Sequence, residues 1–284
     1  MLGIYEKSLP DCLSMEEKIF YFKKSGYDFF ELSIDESEER MARLFWNARQ
    51  TGDLKKLMCK MDFSVYSICL SANRKFPVGH EDGAIRQKGL ELIRRAADLA
   101  LAIGARIVLI PGYDVYYGKS NRETRKLFEE SLAEAAFYAG KRGVVLALEN
   151  IETPFMDSAE KTSAQVRKIG TPWLQCYVDP GNMIAAGIDN PTEQVRRAGG
   201  SIAAMHLKDG RPGEFKHVGY GTGALDFREL FRTLLRDRTA CLFVAEINAL
   251  EGVEESVERI HSARRFLEEQ YEYAQKDEKE ERTT

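Results

Sequence analysis

Eight short apolar runs of the kind that form buried strands alternate with helical stretches along this chain, and no linker interrupts them. The runs fall at residues 2–6, 27–34, 64–70, 106–110, 144–148, 174–178, 202–205 and 242–245. Strands that read as nearly continuous hydrophobic runs belong to a parallel sheet covered by helices. A spacing of about 30 residues fits successive strand–helix–strand units. Eight units without a composition break predict an α/β fold, a single (β/α)8 barrel, rather than an open doubly wound sheet. The chain has 284 residues, close to the roughly 250 of one such barrel. The barrel is expected to span residues 1–274. The charged and polar segment 275–284 is expected to be a frayed, disordered tail.

The helix boundaries are marked locally. Ser14-Met15-Glu16-Glu17 is a capping box for a helix that Gly26 stops. A long amphipathic helix over 82–103 ends at Gly104, and one over 121–141 ends near Gly143. Further helices are expected at 158–169, 191–198, 227–237 and 251–273.

The last four strand-like runs each end in a residue that can bind a metal: Glu149, Asp179, His206 and Glu246. In a parallel barrel the C-terminal strand ends converge on one mouth, where active sites are built. Three carboxylates and an imidazole arriving there make a cage for a hard or borderline divalent cation. A single carboxylate at a strand end can be a helix cap or half of an ion pair. Four in register on adjacent strands favour the cage, because a buried carboxylate without a partner is costly. Glu149 and Glu246 come from strands that flank the other two, an arrangement that can put one carboxylate on each side of a substrate. Such a pair can remove a proton on one face and return it on the other. The same parts can also move a carbonyl along a sugar, so epimerase and aldose–ketose isomerase both remain open on the residues alone.

Net charge is −4 and the basic residues are dispersed, which argues against nucleic acid as a partner. No apolar run reaches membrane-spanning length and the N-terminus lacks a signal-peptide core. The five cysteines are odd in number and contain no C-x-x-C pair, so a disulfide framework is not expected. Cys69, Cys176 and Cys241 read as small core residues. A reducing cytoplasm is the expected location.

Loops at the predicted mouth supply candidate substrate contacts. The segment after the seventh run, residues 208–223, holds Lys208, Arg211, Lys216 and His217 among several glycines. It is expected to bind an anion, since barrels often hold phosphate after strands seven and eight; an ordinary solvated loop is the alternative. Arg74 or Lys75, after the third run, is a second candidate anion contact. Tyr113, Tyr116 and Tyr117 can wall a sugar pocket or simply pack their loop.

Several stretches together resemble the bacterial L-ribulose-5-phosphate (L-xylulose-5-phosphate) 3-epimerases, within the xylose-isomerase-like TIM barrel superfamily. They are Leu2-Gly3-Ile4-Tyr5-Glu6-Lys7, Glu31-Leu32-Ser33-Ile34-Asp35-Glu36, Cys69-Leu70-Ser71-Ala72, Gly112-Tyr113-Asp114-Val115-Tyr116-Tyr117, Asp179-Pro180-Gly181-Asn182 and His206-Leu207-Lys208-Asp209. The resemblance implies that Glu149, Asp179, His206 and Glu246 bind the metal (Mn, Zn, Mg or Co) and that Glu149 and Glu246 transfer the proton. It also implies inversion at C3 of a ketopentose 5-phosphate in pentose and L-ascorbate degradation. Asn73 stands where a histidine is expected in this family; an amide hydrogen-bonds but does not titrate near neutrality. Asn182 replaces a histidine of the free-sugar epimerases, in agreement with the phosphate-sugar branch. Glu152 is a further candidate for a sugar hydroxyl. Barrels of this superfamily are commonly dimers, and Trp46 or the Tyr116–Tyr117 pair is a candidate contact. A DNA-repair endonuclease and a non-catalytic sugar-binding barrel are the remaining readings; one well-placed histidine is too few for the first.

Overall fold

The computed structural model describes residues 1–281. The first half of the chain supplies β1 (Leu2–Tyr5), α1 (Met15–Lys24), β2 (Phe29–Ile34), α2 (Glu38–Ala42), α3 (Ala48–Met61), β3 (Ser64–Leu70), α4 (Gly83–Ile103) and β4 (Ile107–Pro111). The second half supplies α5 (Arg122–Gly140), β5 (Val145–Glu149), α6 (Ala159–Ile169), β6 (Leu174–Val178), α7 (Pro180–Ala185), α8 (Pro191–Ala198), β7 (Ile202–Leu207), α9 (Phe227–Arg236), β8 (Leu242–Ala245) and α10 (Val253–Glu281). The strands are parallel and close in sequence order, with β1 pairing both β2 and β8. The predicted barrel is therefore the observed fold. No helix among the described residues is long and apolar enough to cross a membrane.

Alternation along each strand separates two cores. Residues facing outward pack with the helices, among them Ile4, Phe30, Leu32, Ile68, Val108, Leu146, Leu148 and Val178. Residues facing inward fill the barrel: Tyr5, Phe29, Cys69, Ile107, Leu109, Ala147, Tyr177, Ala204 and Val244. Gly3 is needed at the base of this filling, because a Cβ there would overlap the Phe29 ring. Full burial of a side chain such as Phe29 stabilises the fold by about 1.5–3 kcal/mol.

The capping box at Ser14 forms, with Glu17 accepting from the Ser14 N–H and Ser14 Oγ from the Glu17 N–H. Two helices follow β2: a 3-10 turn at Arg43–Phe45 ends the first, and Asn47 caps α3 anew. Cys69 and Cys176 are buried as expected, whereas Cys241 is partly exposed.

The tail expectation needs correction. Residues 275–281 are the last two turns of α10. Their composition is that of a good helix former, and their acids reach arginines on α9. Arg228 donates to both oxygens of Asp277 at 2.7 and 2.6 Å, and Arg232 to Glu281 at 3.1 Å. Residues 282–284 of the expected tail lie outside the described residues.

Candidate metal centre and active site

The inward set of each C-terminal strand ends in a polar residue. Above Ala147 in β5 comes Glu149, above Tyr177 in β6 comes Asp179, above Ala204 in β7 comes His206, and above Val244 in β8 comes Glu246. One ligand atom from each lies within 4.8 Å of all the others. His206 Nδ1 faces the group, 2.9 Å from Glu149 Oε1, 3.3 Å from Glu246 Oε2 and 3.9 Å from Asp179 Oδ2. The four residues singled out by their place at strand ends are thus brought together.

Neighbouring groups fix their orientation. Asp179 is the N-cap of α7, with Pro180 at the first helical position, and its Oδ1 accepts the Asn182 N–H at 2.9 Å. Its Oδ2 is left to point at the cluster. Asn150 ties β5 to β6 like a backbone pair. Its Nδ2 donates to the Asp179 carbonyl and its Oδ1 accepts the Asp179 N–H, both at 2.8 Å. On the far side of the imidazole, His206 Nε2 lies 2.8 Å from Glu31 Oε1. The second oxygen of Glu31 accepts from Ser67 Oγ at 2.7 Å and Tyr177 Oη at 2.8 Å. A ligating histidine commonly donates its other nitrogen to a carboxylate in this way. The sequence reading assigned no role to Glu31 or Asn150. A carboxylate in the middle of the apolar run Phe29-Phe30-Glu31-Leu32 was the available signal.

Charge in the site is unbalanced. Glu31, Glu149, Asp179 and Glu246 are faced by Lys208 and His206. Lys208 Nζ lies 2.7 Å from both Asp179 Oδ2 and Glu246 Oε2. The contact to Glu246 is a hydrogen bond, whereas the one to the buried Asp179 Oδ2 is an ion pair. Burial raises the Asp179 carboxyl to about 7 and also raises Glu149. Burial acts the same way on Glu246, but the charges of Lys208 and His206 outweigh it and hold that group at about 2. His206 is held well above its ordinary value because Glu246 and Glu31 outweigh the effect of burial. With all four carboxylates ionised, two buried negative charges remain after both cations are counted, and Asp179 Oδ2 accepts no hydrogen bond. A divalent cation answers both, so the donor set fits a metal. The cluster opens into a cavity of about 270 Å³ at the C-terminal mouth.

The family model for xylose isomerase-like TIM barrels matches residues 20–269. L-Ribulose-5-phosphate 3-epimerase UlaE of Escherichia coli strain SMS-3-5 is 42% identical over 234 residues, which is 82% of each chain. The chain belongs to the L-ribulose-5-phosphate 3-epimerase family of xylose isomerase-like TIM barrels. It is an isomerase of the carbohydrate-epimerase class. The protein of the same name from Shigella sonnei matches equally, at 42% over 82% of each chain. Among solved structures, an L-ribulose 3-epimerase superposes with a TM-score of 0.79 at 19% identity, covering 97% of this chain and 96% of the other. D-Allulose 3-epimerase from Methylomonas sp. gives 0.76 at 21%, covering 95% and 96%. These two likenesses speak to the fold.

The remaining candidates of the epimerase divide. Glu152, Asn182, Lys208 and His217 line the mouth cavity together with Lys7, Arg74, Tyr113, Tyr116, Lys216 and Asn248. Asn182 Nδ2 donates to the Asn150 carbonyl at 3.1 Å, so this residue also braces the carboxylate cluster. His217 sits on the loop before α9 with φ 64. Lys208, expected in an anion loop, is turned into the carboxylate cluster instead. Asn73 is buried, does not line the cavity, and has neither side-chain atom hydrogen-bonded. Arg211 does not line the cavity either. Its Nε and Nη2 donate to the Thr222 carbonyl at 3.0 and 2.7 Å.

Proposed function

We propose that the enzyme inverts C3 of a ketopentose 5-phosphate, interconverting L-ribulose 5-phosphate and L-xylulose 5-phosphate. The kinship with UlaE supports the substrate. The observation that carries the chemistry is the convergence of Glu149 and Glu246 on one point from β5 and β8, with Asp179 and His206 between them. Glu149, Asp179, His206 and Glu246 would hold the divalent ion, for which manganese, zinc, magnesium and cobalt all suit the donors. Such an ion supplies the positive charge that acidifies the C–H beside a carbonyl and steadies an enediolate.

The protein's own part is to place two carboxylates on opposite faces of C3. One takes the C3 proton and the other returns a proton from the far side; the roles exchange in the reverse direction. Glu31 holds the His206 ring through Nε2 and keeps Nδ1 directed at the site. Glu152 and His217 are within the cavity wall and are proposed to meet sugar hydroxyls. Incubation of L-ribulose 5-phosphate with the metal-supplemented enzyme in deuterated water tests the reading. Deuterium at C3 together with a second ketose is expected. An aldose product, with the label at C2, would overturn it.

A further inference from the structure

The backbone of Lys208 is fixed from two sides, while its side chain borders both the carboxylate cluster and the open cavity. Asp209, the next residue, accepts four N–H groups of the loop before α9. Its Oδ1 takes those of Gly210 and Leu225 at 2.9 and 3.2 Å. Its Oδ2 takes those of Gly221 and Gly223 at 3.0 and 2.9 Å. On the α7 side, Gly181 packs so closely that a Cβ there would overlap the Lys208 carbonyl. From this root the stem reaches inward, and Nζ lies 2.7 Å from both Asp179 Oδ2 and Glu246 Oε2. Lys208 also lines the mouth cavity, where the centre of the Phe215 ring stands 5.6 Å from Nζ. A flexible four-carbon stem lets an ammonium reach either place.

The oxygens that Lys208 meets are oxygens a metal would use. Asp179 Oδ1 accepts the Asn182 N–H, which leaves Oδ2 to serve a cation. Glu246 Oε2 is the oxygen that faces His206 Nδ1, at 3.3 Å. A divalent ion sits about 2.0–2.2 Å from a carboxylate oxygen, so an ion on these two oxygens lies within about 5 Å of the ammonium. Lys208 is buried, so water and salt screen that repulsion little. Glu31 acts in the opposite sense, since its negative charge stands behind His206 and favours a cation in the cluster.

We propose that Lys208 is a built-in competitor of the metal: its ammonium and the divalent ion alternate on Asp179 Oδ2 and Glu246 Oε2. Arrival of the ion turns Nζ out toward Phe215 and the cavity, and departure lets it return. The inference rests on the metal reading above and deepens it. Lys208 thereby sets how tightly the ion is held, and it keeps two buried carboxylates from standing without a cation.

The test is a manganese(II) titration of chelator-treated wild-type, Lys208→Met and Lys216→Met protein, with the free ion read by electron paramagnetic resonance. Lys208→Met is expected to bind manganese on the order of tenfold more tightly than wild type, or better. Lys216, an exposed cation near the same Phe215 ring, is the control, and its loss should change the affinity less than about threefold. Equal or weaker binding by Lys208→Met would overturn the proposal, because a lysine that merely braces the ligands loosens the ion when removed. An equal tightening in Lys216→Met would also overturn it, by showing a diffuse effect of charge. If neither wild type nor Lys208→Met binds manganese, the metal reading itself falls. Manganese-soaked wild-type crystals decide the matter if Lys208→Met does not fold. Nζ is then expected beyond hydrogen-bond distance of Asp179 Oδ2, and a bound ion with Nζ still against that oxygen contradicts the exchange.

Discussion

Glu31, on β2, and His206, on β7, face each other across the barrel interior, with Oε1 and Nε2 2.8 Å apart. Glu31 is fully buried, and Ser67 and Tyr177 complete its hydrogen bonds. Its role is to hold the imidazole so that Nδ1 meets the carboxylate cluster. A Gln at this position would set an amide N–H₂ or carbonyl against donors arranged for a carboxylate. Glu31→Gln is expected to weaken metal affinity about 10–100-fold. Competition with a chromogenic chelator measures it, and circular dichroism checks that the barrel is intact. Unchanged affinity would remove Glu31 from the metal's support.

Glu149→Gln and Glu246→Gln should each lower kcat by about 10²–10⁴-fold even with metal supplied in excess. Because both residues are also proposed ligands, metal content is to be measured beside rate. A variant that retains metal and still turns over normally contradicts the proton-transfer role.

Metal binding should strengthen as pH rises toward neutrality. Burial holds Asp179 near 7 and raises Glu149, and these protons must leave before the oxygens can ligate. Affinity is thus expected to fall as pH drops below about 7, with proton release on binding. Calorimetry in buffers of differing ionisation enthalpy reads that release. The sign for stability follows from the same group. Folded, metal-free protein keeps the Asp179 proton up to about 7, whereas the unfolded chain loses it near the ordinary value of about 3.9. Between those values Asp179 makes the metal-free fold progressively less stable as pH rises. Added metal should reverse that trend in urea unfolding; a metal-independent pH profile would contradict it.

How much of this was legible in the sequence depends on the kind of signal. Buried strands announce themselves by composition, and Glu149, Asp179, His206 and Glu246 were exposed as a set by recurring at the strand ends. Glu31 was harder to place, because one acid inside an apolar run does not name its partner 175 residues away. Asn150 and Asp209 act through hydrogen bonds to backbone that only the folded chain brings near. Lys208 and Arg211 carried the right charge for an anion, but spacing does not reveal which way a side chain turns. The tail misled because charge was read as solvation, whereas α9 offers Arg228 and Arg232 to its acids.

The loop before α9 should be brittle at its centre. Asp209→Ala leaves four N–H groups without their acceptor and should cost about 2 kcal/mol. Denaturant unfolding measures the loss, and hydrogen exchange should accelerate at Gly221 and Gly223. Protection equal to wild type at both amides would show that something other than Asp209 orders the segment.

The Phe29 ring laid over Gly3 is part of the side-chain filling that closes the barrel interior. With no passage through the packed floor, sugars have a single doorway for arrival and departure. Reactant and product differ at one carbon and must take turns in it. Each will therefore obstruct the other, and turnover will slow as the mixture nears equilibrium.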